Sequence, residues 1–94
     1  MRDSVSTVLS VRLVYLARLR EAFGCAGETL ELAAEDAPSV GSVIEALRQR
    51  GGAWAAELAP GRAVRFAVNQ RLARNERPIR DGDELAILPP VTGG

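Results

Sequence analysis

The chain has no histidine, no lysine and one cysteine in 94 residues. Without histidine there is no Ser-His-Asp or Cys-His nucleophilic pair, and the commonest metal ligand is missing. The single thiol, Cys25, excludes an internal disulfide and a multi-cysteine metal or iron–sulfur centre, so nothing here demands an oxidising compartment. It sits between Gly24 and Ala26-Gly27 with no base beside it, and we read it as inert. Long apolar runs are missing too, because Arg12 interrupts the one that begins at Val8, and no stretch approaches membrane-spanning length. Met1 to Thr7 carries hydroxyl residues and no apolar core, which argues against a signal peptide and reads as a flexible leader. The expectation is a cytoplasmic protein with no membrane partner.

Twelve arginines balance twelve acids to a net charge of zero, and 47% of the residues are apolar. That is enough for one small domain, expected over residues 8–88, to bury a modest core without staples. The arginine-for-lysine skew has its plainest cause in the base composition of the genome. Its chemical consequence is that no internal ε-amine exists for building chains by isopeptide bonds.

Strand patterns frame the chain. Leu9, Val11, Leu13 and Tyr15 share one parity of Val8 to Ala17, with Arg12 on the other. Val14 and Leu16 make the far end of this strand apolar on both faces, which predicts a central strand covered on both sides. Arg18 to Phe23 reads as a helical turn closed by Gly24, and Glu28 to Leu32 as a more exposed strand. Ser39 is the expected N-cap of a helix whose Val40, Val43, Ile44 and Leu47 form one buried stripe, stopped at Gly51-Gly52. Trp54 to Leu58 reads as a second helical piece, with Trp54 as a partly buried cap. Val64, Phe66 and Val68 alternate with Arg65 and Ala67 as a strand, and Asn69 to Arg71 turns the chain. Asp81-Gly82-Asp83 is a tight turn into the last strand, Glu84 to Leu88, and that turn accounts for Asp81, Asp83 and Glu84 better than a metal site does. One helix on one sheet face gives an α+β fold, and a right-handed crossover puts the last strand beside and parallel to the first.

The working part is expected after that strand, in Pro89-Pro90-Val91-Thr92-Gly93-Gly94. Two prolines remove two amide donors, so pairing stops and the segment leaves the sheet extended and fairly stiff. Val91 and Thr92 favour extended backbone. Gly93 and Gly94 carry no Cβ, so the walls of another protein can close on the main chain itself. Six extended residues reach roughly 20 Å, enough to carry the terminal carboxylate into a deep site.

These residues carry a resemblance. Val14-Tyr15-Leu16-Ala17-Arg18-Leu19-Arg20-Glu21, Ser39-Val40-Gly41, Val68-Asn69-Gln70 and, above all, Asp81-Gly82-Asp83-Glu84 before the tail resemble the small, sulfur-carrying subunit of molybdopterin synthase, a ubiquitin-like β-grasp family, from about Val11 to Gly94. The resemblance implies a mixed sheet packed on one main helix. It implies that Gly94 is adenylated by an ATP-dependent activating enzyme, converted to a thiocarboxylate with sulfur from a donor protein, and inserted into the large catalytic subunit to sulfurate a cyclic pterin phosphate. It further implies that Pro89, Pro90, Val91, Thr92 and Gly93 contact the partner's tunnel from within it, and that no cofactor or metal is held by this chain. An ionised terminal carboxylate, with an ordinary pKa of about 3.5, is a poor acyl donor, so a leaving group such as adenylate must be installed first. The family's tails more often have phenylalanine or isoleucine where Leu88 stands.

Docking contacts are expected at Leu88, Phe66, Arg71 and Arg74. The last two belong to a run, Arg62, Arg65, Arg71, Arg74, Arg77 and Arg80, opposed only by Glu76. A solvated surface is the plainer account of this run, docking to an acidic partner the functional one. Nucleic acid is not expected, because no aromatic residues interleave for base stacking. Other readings stay open: a sulfur carrier for thiazole or cysteine synthesis, a ubiquitin-like protein modifier, and an RNA-binding β-grasp module.

Overall fold

The computed structural model describes residues 7–89, and residues 1–6 and 90–94 lie outside it. Five strands, β1 (Val8–Tyr15), β2 (Gly27–Ala33), β3 (Arg65–Val68), β4 (Arg71–Ala73) and β5 (Glu84–Leu88), form one sheet in the order β2-β1-β5-β3-β4. β1 and β5 run parallel and the other pairs antiparallel, so the crossover expected from the sequence is present. Three helices, α1 (Arg18–Phe23), α2 (Val40–Arg48) and α3 (Gly52–Glu57), connect the strands. This is the α+β fold read from the residue patterns, in the ubiquitin-like β-grasp arrangement that the family resemblance implies.

α2 forms because its apolar residues recur at helical spacing and because its first turn is capped. The Ser39 hydroxyl accepts from Ser42 N at 3.3 Å while Ser42 Oγ accepts from Ser39 N at 3.0 Å, which satisfies two otherwise orphaned donors. Val40, Val43, Ile44 and Leu47 are buried against Val11, Leu13 and Tyr15 of β1, Leu85 and Ile87 of β5, and Val68 of β3. Burying each such side chain is worth about 1.5–3 kcal/mol, so this one layer contact dominates the stability of the domain.

The structure departs from the sequence reading in four places. β1 stops at Tyr15 because Ala17 takes φ 53°, ψ −132°, a conformation that ends pairing and starts α1. α3 begins at Gly52, two residues before Trp54, since Gly51 and Gly52 both take positive φ and turn the chain straight into it. A short 3-10 turn at Ala34–Asp36 was not expected. Most consequential, the far face of β1 is uncovered: Arg12 and Leu16 are exposed and Val14 half-buried, so the two-sided covering expected from Val14 and Leu16 is replaced by a single layer of helices.

Candidate functional site

The base of the tail is built from the middle of the sheet outward. β5 is held by β1 on one side, with Arg12, Leu13, Val14 and Tyr15 opposite Glu84, Leu85, Ala86 and Ile87, and by β3 on the other. Leu16 N donates to the Ile87 carbonyl at 3.2 Å and Arg12 N to the Asp83 carbonyl at 2.9 Å, so the ladder runs past both ends of the paired residues. Leu88, half-buried, closes the strand opposite Arg65, and Pro89 follows outside the strand. Pro90, Val91, Thr92, Gly93 and Gly94 lie outside the described residues.

The start of β5 is fixed as firmly. Asn69 and Gln70 both take positive φ, making the two-residue hairpin between β3 and β4, and Asn69 reaches across to β5. Its Nδ2 donates to Asp83 Oδ1 at 2.9 Å and its Oδ1 accepts from Glu84 N at 3.0 Å. Asp83 Oδ2 accepts from Arg80 N at 2.8 Å, with Arg77 3.6 Å away. Burial alone raises the Asp83 carboxyl, but the hydrogen bonds from Arg80 N and Asn69 and the charges of Arg77 and Arg80 outweigh it and hold the group below the usual carboxylate range. Asp81 Oδ1 accepts from Ser10 N at 2.8 Å, and Gly82, at φ 86°, donates its N–H to the Ser10 carbonyl. Asp81 and Asp83 thus serve the turn, Glu84 begins β5, and Arg71 belongs to β4 rather than to the turn.

The helix-free face of the sheet carries the second element of the site. Register aligns Val14, Ala86, Ala67 and Leu72 in one row across β1, β5, β3 and β4, with Arg65 and Leu88 in the next row toward the tail. Leu72 is 71% exposed and Leu16 36%. The expected docking residues divide between the two sides. Leu88 lies on this open face, whereas Phe66, paired with buried Ile87, turns the other way and packs half-buried against the core. Arg71 and Arg74 are exposed on and just after the edge strand β4. Ala67, Leu72 and Ala86 were not picked out from the sequence, and Val14 only as a residue covered by its own chain. Their signal was available, as apolar residues at the outward parity of four strands, but it reads as burial under a second layer of the same chain.

At the tail end of β1 an aromatic group locks α1 and α3 to the sheet. Phe23 stacks on Trp54 with centroids 3.8 Å apart, and Tyr15 meets both edge-on. The Tyr15 hydroxyl donates to Glu28, which Arg50 holds by both oxygens at 2.8 and 3.0 Å while its guanidinium lies 4.5 Å above the Trp54 ring. Trp54 is therefore packed as the sequence predicts, and Cys25 packs half-buried beside the core.

With this geometry in place, comparison with known proteins is decisive on ancestry. The family model described as the ThiS family matches residues 13–94. The chain belongs to the ThiS family. It is 37% identical over 84 residues to the molybdopterin synthase sulfur carrier subunit of Escherichia coli (strain K12), covering 89% of this chain and 99% of that protein. Among solved structures of the same fold are SAMP1 from Haloferax volcanii, 25% identical with a TM-score of 0.71 over 90% of this chain and 99% of that one, and subunit 1 and 2 of molybdopterin-converting factor from Helicobacter pylori, solved as a complex. The last match is 24% identical with a TM-score of 0.58, over 92% of this chain and 100% of that one, and bears on fold alone. Among the described residues no helix is long and apolar enough to cross a membrane.

Proposed function

We propose that this chain is the sulfur carrier of molybdenum cofactor synthesis, acting in the cytoplasm as the small subunit of molybdopterin synthase. The observation that carries the reading is positional: the Pro-Pro-Val-Thr-Gly-Gly tail is rooted on β5, the middle strand of the sheet, beside an open apolar face. A rigid base of this kind lets a thin terminal segment enter a partner while the face seats against it. The identity to sulfur carrier subunits over nearly their whole length supports the same assignment.

The chemistry follows from the terminal group. A carboxylate oxygen of Gly94 attacks the α-phosphorus of ATP on an activating enzyme, releasing pyrophosphate. The terminal sulfur of a persulfide on a donor protein then attacks the acyl carbon and expels AMP, and a thiol cleaves the resulting acyl disulfide, leaving the thiocarboxylate on Gly94 and a disulfide on the donor side. Within the large catalytic subunit that sulfur attacks an oxygen-bearing carbon of the cyclic pterin phosphate as the C–O bond there breaks and its oxygen departs as water or phosphate oxygen. A second water cleaves the resulting acyl–sulfur bond to restore the carboxylate and leave the sulfur on the pterin. This chain binds no cofactor in the scheme: ATP is consumed on the activating enzyme, and the tail residues Pro89 to Gly93 pass through the partner's tunnel.

The test is reconstitution. Purified chain, activating enzyme, ATP and sulfur donor are expected to give the oxygen-to-sulfur mass increase at Gly94, and addition of the large subunit and precursor to give molybdopterin. Absence of the mass increase overturns the reading. The likeness to SAMP1 of Haloferax volcanii, a name that stands for small archaeal modifier protein 1, favours protein modification as a second reading. Covalent adducts of this chain on other proteins, without molybdopterin formation, would select it.

A further inference from the structure

Five of the twelve arginines make ion pairs to carboxylates among the described residues: Arg18 and Arg62 with Glu57, Arg48 with Glu45, Arg50 with Glu28, and Arg77 with Asp83. The arginines of the β3–β4 hairpin are placed differently. Arg65, Arg71 and Arg74 are exposed and make no ion pair or side-chain hydrogen bond among the described residues. Arg12, the other arginine of the open face, has Glu84 beside it in register, whereas Arg65 has Leu88. Arg65, Leu72 and Arg74 border one depression together with Glu76, and Arg71, Leu72, Arg74 and Arg77 border another, so Leu72 stands between cations on both sides.

We infer that the β3–β4 hairpin is an electrostatic docking surface for a carboxylate-rich rim on the protein that receives the tail, with Leu72 as its apolar centre. The inference rests on the proposed sulfur-carrier reading and adds the chemistry of the partner's face. Position supports it first: a protein closing around the base of the tail meets Leu88, and Arg65 is its register neighbour. Charge supports it next. Three cations without an ion pair among the described residues, with Glu76 the one acid bordering the same depression, surround an exposed leucine and reproduce the layout of a protein interface, an apolar centre inside a charged rim. A second copy of this chain is disfavoured, since the same patch on both partners would set arginine against arginine. Nucleic acid lacks a stacking platform here, because Phe66 turns toward the core. Rim charges of this kind act mainly on the rate of encounter, which steering raises by about 10- to 1,000-fold at low salt.

The test measures association and dissociation of the chain with the large synthase subunit of its own host at low and high ionic strength. Wild type is expected to associate about 10-fold faster at low salt than at high salt. R65E/R71E/R74E is expected to associate at least about 10-fold more slowly at low salt and to speed up rather than slow down as salt rises, and R65K/R71K/R74K to stay near wild type. All three positions are exposed, so an unchanged thermal transition verifies folding. Salt-independent association of the wild type, or a charge-reversed chain that associates as fast, overturns the inference and leaves the sulfur-carrier reading standing. A wild type that acquires sulfur at Gly94 yet does not bind the large subunit and does bind RNA also overturns it. A wild type that acquires no sulfur at all is the failure of the functional reading itself.

Discussion

The Tyr15 hydroxyl donates to Glu28 Oε2 across 2.6 Å, and Arg50 grips both oxygens of the same carboxylate. This links the two strands at one edge of the sheet to the turn after α2. Glu28→Gln keeps the shape but discards the charge that Arg50 binds, and Arg50 is partly exposed, so the expected loss is about 1–2 kcal/mol in urea unfolding. Tyr15→Phe is expected to cost about 1 kcal/mol, because Arg50 still satisfies the carboxylate.

The same contacts set the pH limits of stability. Glu28 is held below its ordinary value first by the Arg50 hydrogen bonds, against a burial cost, and Asp83 is also depressed once its hydrogen bonds overcome burial. A depressed carboxylate stabilises the fold above its unfolded pKa of about 4, and that contribution is lost as pH falls through the lower folded value. Tyr15 is shifted the other way, upward, first by burial and then by Glu28. Its contribution is full below about pH 10 and is lost as pH rises beyond that. Unfolding free energy measured against pH should fall below about pH 4 and again above about pH 10, with Asp83→Asn shallowing the acid limb.

Gly27 stands opposite Val14, where a Cβ would come 2.4 Å from the Leu13 carbonyl oxygen. Backbone cannot yield as a side-chain tip does. Gly27→Ala is expected to destabilise by about 1–3 kcal/mol, read as a lower midpoint in denaturant at unchanged slope.

Removing Gly93 and Gly94 touches no part of β5 and no core residue. The thermal transition is expected to stay within the error of the measurement, while sulfur transfer to the precursor is abolished. Residual transfer by the truncated chain would show that the terminal glycines are not the acyl carrier.

Leu72→Asp probes the open face alone. At 71% exposure the side chain gives the fold little, so stability should change by no more than about 0.5 kcal/mol. Affinity for the large subunit should fall about 10-fold or more, as expected on charging an apolar centre of an interface. Equal affinity would place the partner elsewhere.

How far the sequence reveals this protein depends on what kind of partner each residue has. Strands and α2 are legible because their partners lie inside the domain and impose periods of two and 3.6: the Val40, Val43, Ile44, Leu47 stripe and the Val11, Leu13, Tyr15 alternation both end in the core. Ser39 is legible because capping is local. The parallel pairing of β1 and β5 follows from handedness once the helix between them is placed. That Val14, Ala67 and Leu72 are left uncovered is not legible, because an apolar residue waiting for another protein has the same composition as one covered by its own. Phe66 is legible as the strands are, since its alternation with outward-facing Arg65 and Ala67 turns it toward the helices, and that placement argues against the docking contact also expected of it. The family is carried by the tail motif and its turn, short segments with little bearing on the core.

Since β5 is hydrogen-bonded along both edges and the tail follows it directly in sequence, a pull applied along β5 through the terminus loads two ladders together in shear instead of peeling bonds one after another. The globule should therefore act as a mechanical anchor. An enzyme that draws the terminus into a narrow channel, or a product complex that must be wrenched apart, can strain against this strand without unravelling what it is attached to.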